Sequence, residues 1–217
     1  MRVPVYKRFL SYLYPVCVQR QFSSIHPVLD LYLHRNQWQL VTEDAFYSDG
    51  RRYRPLLSAF SRIRQKLTGV KNVLVLGTGL GSAVQILEHM GLHPVYTLVE
   101  LDSTILNLAI ELMPRQQLLR INPVCMDAEL FVEESNKSYQ LIICDVFLGQ
   151  VVPDFVPSEV FLRKCRSHLQ PGGHFILNYI RQDKLSYDTM RQLMDVVFPE
   201  YTLVEFGVNK IFVAGIS

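Results

Sequence analysis

Glycines at alternate positions mark the segment of this sequence that could bind a ligand through bare backbone. Gly77-Thr78-Gly79-Leu80-Gly81 directly follows the apolar run Val73 to Leu76 and precedes a helical pattern that begins near Ser82. Such a loop lets the chain turn sharply out of a sheet, and the helix presents its N-terminal amides to the same place. The spacing G-x-G-x-G departs from the dinucleotide pattern G-x-G-x-x-G. It therefore favours a nucleoside of the S-adenosylmethionine type over NAD.

Acidic side chains stand at the ends of three further strands. Glu100 ends the second strand, about twenty residues after the glycines, where a carboxylate can accept both ribose hydroxyls of a nucleoside. Asp127 follows the third strand and Asp145 ends the fourth. Ligands bind outside the carboxyl ends of the strands in open parallel sheets, so we expect the three acids to converge on the glycine loop. Asp127 is equally suited to cap the helix that follows it.

Regular alternation of strands and helices must position these residues. Strands are predicted near residues 73–76, 95–99, 120–125, 140–145 and 174–179, with helices near 82–90, 102–112, 128–134, 158–169 and 186–197. This pattern predicts βαβ units and an α/β fold with helices on both faces of a parallel sheet. The last two strands, 201–206 and 210–216, are joined by the short turn Gly207-Val208-Asn209 and must pair antiparallel.

The first third of the chain has a different pattern of predicted secondary structure. Residues 28–34 and 38–42 predict a β-hairpin, with its turn at Arg35-Asn36-Gln37. Residues 5–14 predict an amphipathic surface helix packed on its own domain, and a further helix follows from Arg54 to Leu67. We therefore expect an N-terminal helix and hairpin segment over residues 1–55 and a nucleoside-binding domain over residues 56–217.

The composition of the chain indicates which cellular compartment and which binding partners to expect. Residues 1–70 hold 11 Lys/Arg against 4 Asp/Glu, whereas residues 71–217 hold 11 against 16. A basic first third leaves nucleic acid open as a partner, although no aromatic-interleaved RNA-binding signature accompanies it. The four cysteines are far apart and form no Cys-x-x-Cys, which disfavours metal binding and disulfides and favours the cytoplasm. No stretch approaches the roughly 20 apolar residues of a membrane span.

These motifs resemble those of a known family. The glycine loop, Val99-Glu100-Leu101-Asp102, Met126 to Phe131, Ile142 to Asp145 and Leu169 to Gly173 fall in the order and spacing of class I S-adenosylmethionine-dependent methyltransferases. More narrowly, residues 28–180 resemble the spermidine synthase (polyamine aminopropyltransferase) family. The resemblance implies a Rossmann-like seven-stranded sheet of order 3-2-1-4-5-7-6, with the last strand antiparallel, beside a small N-terminal β-hairpin segment.

The resemblance also implies roles for individual residues. The nucleoside, S-adenosylmethionine or its decarboxylated analogue, would be held by the following residues: Gly77, Thr78, Gly79 and Gly81 at its amino-acid portion and ribose, Glu100 with Leu101 at the ribose hydroxyls, and Asp127 with Ala128 at the adenine. Asp145 would also contact the nucleoside. It matches the catalytic aspartate that helps deprotonate the attacking amine, a step required because an ammonium has no lone pair. Tyr53 and, by a looser alignment, Tyr47 would bind the acceptor.

The sequence departs from the family's pattern where an amine would be recognised. The family carries Asp-x-x-Asp after the fourth strand, whereas Leu148 occupies the second of these positions here. Leucine cannot hold the second charge of a diamine. Arg51, Arg52 and Arg54 flank Tyr53 and would repel putrescine if they lay near the site.

Three functions remain open from the sequence. The first is methyl transfer to a small-molecule acceptor other than a typical diamine. The second is aminopropyl transfer with altered amine recognition, and the third is a non-catalytic binding module that retains the fold. The glycine spacing disfavours NAD-dependent oxidoreduction. Members of the family are commonly dimers, so the resemblance is compatible with a homodimer.

Overall fold

The N-terminal part of the chain builds a four-stranded antiparallel sheet. The computed structural model describes residues 1, 3–43, 46–181 and 183–216. Helix α1 (Val5–Leu10) precedes strands β1 (Val16–Gln21), β2 (Leu29–His34), β3 (Gln37–Val41) and β4 (Phe46–Ser48), which pair in that order. β2 and β3 form the predicted hairpin. Its turn residues Arg35 and Asn36 have φ values of 49° and 58°, as a two-residue hairpin turn requires.

Helix α1 packs more loosely on the domain than predicted, with only Lys7 and Leu10 half-buried. None of its residues is buried, and Phe9 is 72% exposed. The six-residue helix is tied to the sheet by polar backbone contact instead, because the Ser11 carbonyl accepts a hydrogen bond from Arg35 N at 2.6 Å. Among the described residues, no helix is long and apolar enough to cross a membrane.

The rest of the chain alternates strands and helices. A 3₁₀ turn (Gly50–Arg52) leads into α2 (Arg54–Arg62), β5 (Asn72–Leu76), α3 (Ser82–His89), β6 (Val95–Glu100), α4 (Ser103–Leu112), α5 (Arg115–Leu118), β7 (Ile121–Cys125), α6 (Ala128–Glu134), β8 (Tyr139–Cys144), α7 (Glu159–Ser167), β9 (Leu169–Ile180), α8 (Lys184–Val197), β10 (Tyr201–Phe206) and β11 (Asn209–Gly215). The seven strands are ordered β10-β11-β9-β8-β5-β6-β7. β11 is antiparallel to both neighbours. The predicted α/β fold, its strand order and its antiparallel last strand are confirmed.

Strand β5 shows how the sheet is buried on both faces. Leu74 and Leu76 point into one core, which contains side chains of α6, α7 and α8. Val73 and Val75 point into the other, which contains side chains of α2, α3 and α4. All four are fully buried, which explains why this strand reads as a continuous apolar run.

The four-stranded sheet lies against the glycine loop. Leu31 and Leu40 of this sheet pack with Leu80 of the loop and with Ile105 and Leu108 of α4. This apolar contact crosses the division at residue 55, which stays a prediction. The N-terminal segment thereby forms a wall next to the carboxyl ends of the parallel strands.

Candidate active site

The carboxyl ends of β8, β5, β6 and β7 lie side by side because backbone pairing continues into the loops. Asp145 N donates to Leu76 O at 2.8 Å, Gly77 N donates to Val99 O at 3.0 Å, and Met126 N donates to Glu100 O at 3.1 Å. This pairing brings the glycine loop and the strand-end acids to one edge of the sheet. They line a cavity of about 660 Å³, a size typical of small-molecule sites.

The glycine loop is shaped by its left-handed backbone. Gly77, Gly79 and Gly81 have φ values of 80°, 51° and 77°, which glycine adopts without steric cost. A Cβ at Gly77 would lie 2.7 Å from the carbonyl carbon of Asp145, so the loop passes the end of β8 only as glycine. A Cβ at Gly81 would instead meet Met113. Gly81 shapes the turn into α3 and lies outside the cavity lining.

Glu100 fastens the glycine loop to the end of β6. Its Oε2 accepts hydrogen bonds from Thr78 N and Gly79 N, both at 3.1 Å, and its Oε1 accepts one from Asp102 N at 3.2 Å. Burial raises the pKa of Glu100, and these backbone donors oppose that shift. Each carboxylate oxygen has two lone pairs, so Oε1 retains capacity to accept from a ligand hydroxyl at the cavity edge.

Asp127 caps α6, as the sequence allowed. Its Oδ1 accepts from Glu129 N at 2.7 Å and from Leu130 N at 3.4 Å. Oδ2 takes no part in these two bonds. Asp127 lines the cavity beside Ala128, and Leu101 lines it at the end of β6. The capping role therefore does not compete with a ligand contact through the second oxygen.

Asp145 lies in a partly buried hydrogen-bonded cluster at the end of β8. Its Oδ1 accepts from Tyr53 Oη at 3.2 Å and from Asn178 Nδ2 at 2.7 Å. Asn178 Nδ2 also lies 3.0 Å from Tyr53 Oη, and Asn178 Oδ1 accepts from Asn209 Nδ2 at 3.0 Å. Burial raises the pKa of Asp145 to about 6, while the bonds from Asn178 and Tyr53 lower it. A carboxylate with this pKa can accept a proton near neutral pH.

Sequence reasoning missed Asn178 and Asn209. Asn178 is 1% exposed and lies among apolar residues of β9. A buried polar side chain in such a strand needs a hydrogen-bond partner, and this was a signal available in the sequence. Asn209 starts β11, directly after the hairpin turn, where its residue type suggested only turn chemistry.

Many of the residues that line the cavity are apolar. They include Val146, Phe147, Leu148, Pro153, Phe155, Ile180, Phe206 and Val208, while Gly149 and Gln150 line it from the same loop as Leu148. Leu148 is held in place by two backbone bonds with Val151, at 2.9 and 3.0 Å. The position of the family's second carboxylate is therefore a leucine on the cavity wall.

The arginines that flank Tyr53 divide into two groups. Arg52 and Arg54 line the cavity, whereas Arg51 is turned away, with its Nη1 donating to His89 Nδ1 at 3.3 Å. Tyr47 lies on β4, and its side chain falls outside the described part of the structure. Within the described ranges, no group of three or more His, Cys, Asp or Glu side chains is arranged to hold a metal ion.

Comparisons with known proteins define the class. A family model described as a methyltransferase domain matches residues 74–177. Human methyltransferase-like protein 13, solved in complex with SAH, superposes with a TM-score of 0.60 at 23% identity, covering 74% of this chain and 78% of that one. The protein has the class I methyltransferase fold.

Among proteins with this fold, the chain is similar to spermidine synthases. A probable spermidine synthase from Corynebacterium glutamicum superposes with a TM-score of 0.73 at 19% identity, covering 93% of this chain and 80% of that one. The polyamine aminopropyltransferase of Vibrio vulnificus is 23% identical over 151 residues, or 65% of this chain. The match spans 50% of that relative, so the chain corresponds to about half the length of the curated protein.

Proposed function

We propose that the protein transfers a methyl group from S-adenosylmethionine to a small-molecule acceptor other than a typical diamine. The observation that carries this proposal is the set of residues that line the cavity together with Asp145. There the half-buried carboxylate of Asp145 shares the cavity lining with apolar side chains that include Leu148. A diamine with two positive charges would leave one of them against those side chains, and an unpaired buried charge is costly.

The chemical groups at the cavity edge fit a nucleoside of this type. Glu100 Oε1 can accept from a ribose hydroxyl, and Asp127 Oδ2 can accept from an adenine amino group. These two acids follow β6 and β7, neighbours in the sheet. Their spacing along the sheet edge suits a ribose and a base in succession. Human methyltransferase-like protein 13, which has the same fold, was solved with SAH, and this likeness supports the proposal.

The chain's own residues would prepare the acceptor. When bound, S-adenosylmethionine would supply a sulfonium methyl group that an amine or hydroxyl lone pair can attack, with S-adenosylhomocysteine as the leaving group. Asp145 would accept the proton that the acceptor loses, because its raised pKa of about 6 matches that task near neutral pH. Tyr53 and Asn178 hold Asp145 Oδ1 in a fixed orientation. Phe147 and Phe155 on the cavity wall would exclude water from the reacting groups.

Aminopropyl transfer is the second candidate. It is favoured by the similarity to the polyamine aminopropyltransferase of Vibrio vulnificus and by the retention of an aspartate at position 145. The nucleoside product separates the two reactions, because methyl transfer leaves S-adenosylhomocysteine and aminopropyl transfer leaves methylthioadenosine.

The test supplies the enzyme with S-adenosylmethionine or with decarboxylated S-adenosylmethionine, and with a panel of monoamines, alcohols and diamines. The nucleoside products are then quantified by mass spectrometry. The proposal predicts S-adenosylhomocysteine, formed in an Asp145-dependent manner and without a diamine. Methylthioadenosine formed with putrescine would establish the aminopropyl alternative. Nucleoside binding without turnover on any acceptor would favour a non-catalytic module.

A further inference from the structure

Arg52 lines the cavity and takes no part in the nucleoside contacts proposed above. The 3₁₀ turn Gly50–Arg52 packs against α3, the helix that follows the glycine loop, since a Cβ at Gly50 would lie 3.0 Å from Gln85 Oε1. Ser48, just before the turn, has its Oγ 2.7 Å from Ser82 Oγ at the start of α3. Arg52 and its neighbour Tyr53 both line the cavity.

The guanidinium of Arg52 is fixed and has a donor to spare. Its Nη2 donates to His34 O at 3.0 Å and to Asp49 Oδ1 at 3.3 Å. Asp49 is itself held by Gln39 Nε2 at 2.7 Å. Arg52 Nη1 takes part in neither of these bonds, and Arg52 is one of the residues that line the cavity. A guanidinium carries five N–H donors, so donors remain for a ligand oxygen.

The sheet order indicates which part of a nucleoside would reach Arg52. With the adenine at Asp127 on β7 and the ribose at Glu100 on β6, the remainder of the molecule extends towards β5 and β8. The amino-acid tail then lies at the glycine loop, next to the turn that carries Arg52. The tail of S-adenosylmethionine ends in a carboxylate, whereas the decarboxylated nucleoside has only its ammonium there.

We infer that Arg52 binds the amino-acid carboxylate of the donor nucleoside and so selects S-adenosylmethionine against its decarboxylated analogue. Guanidinium groups form strong paired hydrogen bonds with carboxylates, and a guanidinium repels the ammonium of the decarboxylated tail. The inference rests on the proposed function, because it requires a nucleoside with its ribose at Glu100. It names the residue that decides between methyl and aminopropyl donors.

The test compares three ligands by isothermal titration calorimetry. S-Adenosylhomocysteine carries the carboxylate, decarboxylated S-adenosylmethionine lacks it, and methylthioadenosine lacks the whole tail. We expect the wild-type protein to prefer the first over the second by about tenfold or more. Arg52→Gln should remove that preference and leave methylthioadenosine affinity within about twofold. Arg51→Gln is the matched control, since Arg51 contacts His89 outside the cavity, and it should retain the preference.

Arg52→Lys keeps the positive charge. It therefore tests whether the effect of Arg52→Gln could come from loss of the fold. It should retain part of the preference, with unchanged methylthioadenosine affinity. Equal wild-type affinities for the first two ligands, or an equal weakening of all three by Arg52→Gln, would overturn the inference while nucleoside binding stands. Failure of all three ligands to bind the wild-type protein would overturn the inference and the proposed function together.

Discussion

Asn178 Nδ2 lies 2.7 Å from Asp145 Oδ1, and this bond joins the central strand β9 to the carboxyl end of β8. The Asn178 amide is in turn oriented by Asn209 from the antiparallel strand β11. Two strands that lie outside the glycine motif thus orient the candidate catalytic carboxylate, and the bond from Asn178 lowers the pKa that burial raises. Hydrogen bonds to an ionised carboxylate stabilise that form.

The first prediction concerns the pKa of Asp145. With a pKa of about 6, its carboxyl carbon should titrate near pH 6 in a ¹³C NMR experiment on aspartate-labelled protein. Asn178→Leu removes a donor to the ionised form, so the midpoint should rise by about 1 to 2 units. Asn72→Leu, at the opposite end of the sheet, should leave it unchanged. An unchanged or lowered midpoint in Asn178→Leu would contradict this role of Asn178.

The second prediction concerns stability. The pKa of Asp145 in the folded protein, about 6, exceeds its ordinary value of 3.8. Ionised Asp145 therefore lowers the free energy of unfolding, fully above pH 6 and not at all below pH 3.8. Removing this charge by Asp145→Asn should raise the stability at pH 8 by up to about 3 kcal/mol and abolish transfer.

Urea denaturation at pH 8 measures this effect. Asp127→Asn serves as the control, because asparagine caps a helix as well as aspartate does, and its stability should change by less than about 0.5 kcal/mol. A lower free energy of unfolding in Asp145→Asn than in the wild type would show that ionised Asp145 does not destabilise the folded protein.

The third prediction separates two glycines of similar backbone conformation. Gly77 and Gly172 have φ values of 80° and 74°, so alanine at either should cost about 1–2 kcal/mol in backbone strain. Only at Gly77 would the new Cβ collide with backbone, since nothing lies within 4 Å of a Cβ at Gly172. Gly77→Ala should therefore be destabilised further and lose nucleoside affinity, whereas Gly172→Ala should bind normally. Equal effects in thermal melts and calorimetry would refute the close approach.

The fourth prediction concerns the departure at position 148. Leu148→Asp places a second carboxylate on the apolar wall, so putrescine should bind about tenfold more tightly in the presence of a nucleoside. Leu119→Asp adds the same charge at a site that is 90% exposed and should have no effect. Equilibrium dialysis with labelled putrescine measures both. No gain in Leu148→Asp would mean that the leucine is not what excludes a diamine.

The sequence allowed the α/β fold to be predicted almost completely. Continuous apolar runs such as Val73 to Leu76 and the short turn before Asn209 determine burial and strand direction. The strand predicted at 174–179 is too short, because Pro171-Gly172-Gly173 is typical of a turn. In the structure β9 begins at Leu169 and runs through these residues with a shift in register, since Tyr139 pairs with Leu169 and Leu141 with His174. Strands β1 and β4 were also missed, since one is largely polar and the other has three residues.

The candidate site was predictable only in part, because its residues come from distant segments. Glu100, Asp127 and Asp145 follow strands and could be placed from topology alone. Asn178 and Arg52 acquire their partners through tertiary packing, over 33 residues between Asn178 and Asp145 and 18 between Arg52 and His34. The spacing of residues in the sequence does not predict contacts between side chains that are so far apart in the chain.

Calorimetric titration of the wild-type protein with S-adenosylhomocysteine tests the central claim most directly, with Glu100→Gln as its companion. We predict one site per chain in the wild type. We also predict stabilisation by about 2.7 kcal/mol at a ligand concentration of 100 Kd and markedly weaker binding in Glu100→Gln. Absence of heat and of any thermal shift at about 1 mM ligand would contradict the assignment of a nucleoside site to this cavity.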